Sequence, residues 1–171
     1  IGVRGEQGLG CAEQYGVLNQ IDFLVGTFGK AIASVGGYII CDSIIRDYLI
    51  NKMRPLIFST ALPPISMAWS DFIFNKVLNM HQQRHHLAEI SQYLQQSVIT
   101  KGFSSPSSSH IIPIIVGESQ AAIEKACYVQ QQGFYAMPVR PPTVPQNSSR
   151  LRISLTSLVQ KNELEQLVEC L

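Results

Sequence analysis

Residues 22–41, DFLVGTFGKAIASVGGYIIC, hold two short apolar runs around a turn rich in glycine and small side chains. Asp22 to Gly26 and Gly37 to Cys41 each have the length of a buried strand, and both are bracketed by glycine. They are expected to be strands of an α/β sheet. The stretch between them, Thr27 to Gly37, is expected to be a loop whose glycines let the backbone approach a neighbour closely. At its centre stands Lys30, the only lysine before Lys52. A lysine amine becomes a nucleophile toward aldehydes when its surroundings lower its pKa. From spacing alone, a solvated lysine in a surface turn is the commoner reading. The neighbours sharpen the catalytic one: Thr27 and Ser34 bring hydroxyls, and the glycines bring open amides, groups that hold a phosphate without a cation. A Schiff-base lysine beside a phosphate cradle points to pyridoxal phosphate.

Outward from this stretch, composition narrows the field. The 171 residues are 46 % hydrophobic and 15 % charged, with a net charge of +1, enough to bury a core. No basic run lies beside an aromatic cluster, so nucleic acid is not the expected partner. The apolar stretches are short and interrupted, and the glycine-rich start, IGVRGEQGLG, resembles neither a membrane span nor a secretory signal. Cys11, Cys41, Cys127 and Cys170 lie far apart without CxxC spacing, which fits a reducing cytoplasm better than a disulfide scaffold. A first residue other than Met raises the expectation of a piece of a longer chain.

Beyond Cys41, Asp42 is placed to cap a helix carrying Ile44, Ile45, Tyr48 and Leu49 at helical spacing, ended by Pro55. After Pro63 and Pro64, residues 65–100 read as long helical segments broken by the polar stretch MHQQRHH at 80–86, and this pair is expected to bridge two domains. A serine-rich loop follows at 102–109. Strands are expected at Ile111–Val116, Phe134–Val139 and Leu151–Leu155, with a helix through Ala122 and Ala126 that ends at Gly133. Leu164, Leu167, Val168 and Leu171 give a last amphipathic helix.

The remaining candidates are polar. In the strand at 151–155, alternation sets Leu151, Ile153 and Leu155 on one face and Arg150, Arg152 and Ser154 on the other, so Arg152 faces outward where its planar fork suits a carboxylate. An arginine on the solvated face of a half-buried strand is as good a reading. Arg140, before the prolines, carries the same ambiguity. His81 and His85 stand one helical turn apart, but no third ligand is placed with them, and a solvated helix face is expected. Ser59 and Thr60 read as turn residues, and GEQGLG lacks the Lys and Ser/Thr of a phosphate loop.

Four blocks occur in fixed order: GEQGLG, GTFGKAIASVGGYI, RPLIFSTALPP and RPPTVPQNSSRLRISL. Together they closely resemble the C-terminal half of the α-oxoamine synthases, fold-type I pyridoxal phosphate enzymes. The resemblance implies an α/β fold: residues 1–62 ending a large cofactor domain, 63–101 as linking helices, and 102–171 as a small α/β domain. It implies that Lys30 carries the cofactor, Thr27 binds its phosphate, and Thr60 reaches the phosphate site of the partner subunit in a homodimer. Arg152 would bind the amino-acid carboxylate and Arg140 the acyl substrate. The Arg before the prolines resembles the branch that condenses L-alanine with a pimeloyl thioester, carried on coenzyme A or acyl carrier protein, in biotin synthesis. A glycine-using sister synthase and a non-catalytic subunit are the alternatives. Family members carry an Asp-x-x-His segment ahead of the first block; this chain begins after it, so on its own it is expected to be inactive or poorly folded.

Overall fold

The computed structural model describes residues 1–171, which divide into two compact units, Ile1–Arg84 and His85–Leu171. The first unit opens with a glycine-rich segment and a single helical turn, α1 (Cys11–Gln14). Strands β1 (Phe23–Thr27) and β2 (Gly37–Cys41) follow as an antiparallel pair, in register from Phe23 opposite Cys41 to Thr27 opposite Gly37. Both were expected to be buried, and here the structure differs: Phe23, Val25 and Ile40 are exposed. An apolar run has the composition to be covered on both faces, but no further strand of this chain pairs with the hairpin.

Helix α2 (Ser43–Lys52) starts as expected, with the Asp42 carboxylate accepting Ile44 N–H at 2.9 Å. Its apolar positions Ile44 and Tyr48 are nevertheless exposed. Pro55 does not simply end helical structure; it opens a separate turn, α3 (Arg54–Ile57), where its missing N–H is harmless. Residues 64–100 form α4 (Pro64–Leu78) and α5 (His81–Thr100), separated by a tight turn through Asn79 and Met80. The division between the units falls inside α5.

The second unit is an antiparallel sheet in the order β3 (Ile111–Gly117), β5 (Ser149–Ser154), β4 (Met137–Val139). Helices α6 (Ser119–Gln131) and α7 (Lys161–Glu169) complete it. Leu94 and Val98 of α5, Ile112 and Ile114 of β3, Val129 of α6 and Leu151 of β5 are fully buried and form its core. The strand expected from Phe134 shrinks to three residues. Phe134 N–H bonds Val129 O and Gly133 N–H bonds Gln130 O, the double closure of a Schellman helix end, so this backbone is committed to α6. No helix is long and apolar enough to cross a membrane.

Candidate active site

The loop between β1 and β2 is a closed turn. Phe28 N–H bonds Gly36 O at 3.0 Å, Ser34 N–H bonds Phe28 O at 3.0 Å, and Ala33 N–H bonds Lys30 O at 2.8 Å. A Cβ on Gly37 would fall 2.7 Å from the Gly26 carbonyl oxygen, so the base of the turn admits no side chain there. Ile32 points inward and is fully buried, while Lys30, two residues before it, is exposed, and its side-chain amine makes no hydrogen bond or ion pair. Ala33 lies at φ 50, in the left-handed region that costs an alanine about 1 kcal/mol. Strain of that kind persists only where the surroundings hold it.

Helix α4 does the holding. The Trp69 indole N–H donates to Ala33 O at 2.9 Å. The Ser34 and Ser70 hydroxyls lie 2.8 Å apart, and both reach Ser66 O, at 3.4 and 2.8 Å. The carbonyl after Ile32 and the side chain of Ser34 are thus both tied to one helix face, leaving the Lys30 amine as the free group of the turn. Reading the sequence did not single out Ser66, Trp69 and Ser70; their spacing of three and four residues on a helix was the available signal.

Thr27, at the end of β1, donates its hydroxyl proton to Gly36 O at 3.2 Å and accepts Gly29 N–H at 3.2 Å. Gly36 O keeps the Phe28 N–H bond when that proton turns elsewhere. Thr27 can therefore donate to a phosphate oxygen without stranding a carbonyl. An unpaired primary amine with a releasable hydroxyl three residues before it is a donor set that fits an aldehyde cofactor bearing a phosphate. Thr60 is exposed between α3 and α4, within the same unit as Lys30 and Thr27.

Arg140 and Arg152 belong to the second unit. Along β5 burial alternates as expected, with Leu151 and Ile153 buried and Arg152 exposed. Arg152 stands opposite Pro113 on β3 and Met137 on β4, and no acid pairs with it. Arg150, on the same face, donates through Nε to Ser148 O at 2.9 Å. Arg140 is exposed at the end of β4, its carbonyl accepting Thr143 N–H at 3.0 Å. His85 pairs with Glu89 on the exposed face of α5, at 3.5 Å. His81 is exposed as expected, and its Nδ1 lies 3.2 Å from Nη2 of Arg84, which is itself buried. The polar stretch at 80–86 is therefore not wholly a solvated face.

Residues 2–171 match the family model for aminotransferase class I and II. An 8-amino-7-oxononanoate synthase of Haemophilus ducreyi is 52 % identical over 172 residues, aligned to 100 % of this chain and 44 % of that protein. A serine palmitoyltransferase of Sphingomonas wittichii superposes with a TM-score of 0.92 at 29 % identity, covering 99 % of this chain and 43 % of the other. The 8-amino-7-oxononanoate synthase of Francisella tularensis superposes with a TM-score of 0.88 at 25 % identity, covering 99 % and 50 %. The chain spans under half the length of the curated relatives it matches.

Proposed function

The chain belongs to the class I and II aminotransferase family, and from that membership we propose that its full-length subunit condenses L-alanine with a pimeloyl thioester, releasing CO₂ and the thiol, to give 8-amino-7-oxononanoate. The observation that carries this reading is Lys30: a free amine on a turn whose neighbouring backbone and side chains are tied to α4. The name shared by relatives about half identical across the whole chain supports the choice of substrates.

Bound pyridoxal phosphate supplies an electron sink for the electron pair left at the amino-acid Cα. Lys30 Nζ would hold the cofactor, and the same amine is the base that would take the Cα proton of the amino acid. The Thr27 hydroxyl donates to the cofactor phosphate, and Thr60 serves the phosphate site of a partner subunit in a homodimer. Arg152 binds the amino-acid carboxylate through its guanidinium fork. Arg140 recognises the acyl substrate, carried on coenzyme A or acyl carrier protein.

The test is borohydride reduction of the full-length subunit loaded with pyridoxal phosphate, followed by peptide mapping and an assay with alanine and pimeloyl thioester. The label is expected on Lys30, and Lys30→Ala is expected to remove both label and turnover. Label on another lysine would sink the assignment. Turnover with glycine and acetyl thioester but not with alanine and pimeloyl thioester would move the protein to a sister synthase.

A further inference from the structure

The segment before α1 closes on itself: Gly2 N–H bonds Gly8 O at 2.6 Å and Gly10 N–H bonds Arg4 O at 2.8 Å. The Glu13 carboxylate accepts Gln7 N–H and Leu9 N–H, each at 2.9 Å. Arg84, only 8 % exposed, also reaches this segment. Its Nη2 donates to Glu6 O and Leu78 O, and its Nη1 to Val77 O. No carboxylate meets this guanidinium, and its Nε is buried without a hydrogen-bond partner.

A buried cation without a counter-ion is costly, and its place is explained by geometry when charge pairing does not explain it. Besides His81 Nδ1, one turn earlier on α5, the acceptors of Arg84 are backbone oxygens of two separate segments, Glu6 in the glycine-rich stretch and Val77–Leu78 at the end of α4. One planar group therefore joins them. The glycine-rich stretch in turn bears on the Lys30 turn: a Cβ on Gly2 would fall 2.7 Å from the Ala31 Cβ and 3.8 Å from Val77 Cγ1. A Cβ on Gly8 would fall 3.0 Å from Arg84 Nη1, so the segment fits closely against the guanidinium.

We propose that Arg84 is a positioning residue for Lys30. By joining residues 2–10 to the end of α4, it seats the Gly2 backbone against Ala31, the residue next to the reactive amine. Ser66, Trp69 and Ser70 hold the same turn at Ala33 and Ser34. The inference rests on Lys30 being the residue that carries the cofactor.

The experiment uses the full-length subunit with Arg84→Lys, Arg84→Gln and Glu13→Gln, the last loosening the same segment without touching the guanidinium. In the cofactor-free protein, amide hydrogen exchange over residues 28–36 is expected to speed up about tenfold or more in Arg84→Gln and Glu13→Gln, with α2 unchanged as internal control. In the loaded enzyme, kcat per borohydride-labelled Lys30 is expected to fall about tenfold or more while the KM for alanine stays within about twofold. Arg84→Lys is expected to restore part of kcat. Faster exchange confined to residues 2–10, or an unchanged kcat per labelled site, would overturn the proposal. If Arg84→Gln fails to fold, the other two variants decide. A missing label on Lys30 in the unsubstituted protein would sink the cofactor reading alone, because the exchange comparison judges Arg84 without it.

Discussion

Trp69 is the only tryptophan of the chain, and its indole N–H is bonded to the carbonyl of Ala33, three residues beyond Lys30. Its emission is therefore a built-in report on the Lys30 turn. Ser70 supports the same turn: its hydroxyl donates to the Ser34 oxygen or to Ser66 O, and the Ser34 hydroxyl donates to Ser66 O. Removing one hydroxyl leaves the other serine with a poorer partner in a part-buried place. Ser70→Ala is expected to destabilise the turn by about 1 kcal/mol. The check is a shift of the denaturation midpoint followed by Trp69 emission; a midpoint unchanged within error would remove Ser70 from the scaffold.

At the scale of elements, the β1–β2 hairpin depends on how closely its strands meet at Gly37. The added carbon of Gly37→Ala would press on the Gly26 carbonyl, a backbone atom that moves only with the whole strand. A loss of about 1–3 kcal/mol is expected, with faster amide exchange at residues 23–27 as the measurement. Much of this layer is legible from sequence, because the hairpin's runs, the Asp42 cap, the break before α4 and the alternation in β5 are all local patterns. Lys30 stood out for the same reason, as a lone cation among small residues. Arg84, Trp69 and Ser70 did not, because their roles come from residues 36 to 78 positions away. Burial of the hairpin was misjudged because composition says what a strand can be packed against, not whether this chain supplies it.

Across the whole molecule, apolar burial is uneven. Only Ala12, Ile32 and Val77 of the first unit are buried hydrophobic residues, whereas the second buries Leu94, Ile112, Ile114, Leu151 and many more. Burial of apolar surface is the main term favouring folding. The second unit should therefore hold its structure on its own account, and the first much less so. In the 171-residue chain, amides of β3 and β5 are expected to exchange at least about tenfold more slowly than those of β1 and β2. Equal protection of the two sheets would contradict this reading. Within the first unit, the ties between α4 and the Lys30 turn convert small rotations into displacements. Seven positions, about 10 Å of helix, separate Val77 from Ser70. Pivoting α4 by about five degrees at Val77 would carry Ser70, and Ser34 bonded to it, sideways by about 1 Å, a misplacement able to cost about a hundredfold in rate. Under the proposed role of Lys30, the angle of one helix sets the aim of its amine, and a substitution far from Lys30 that tilts α4 would act on turnover like a change in the site itself.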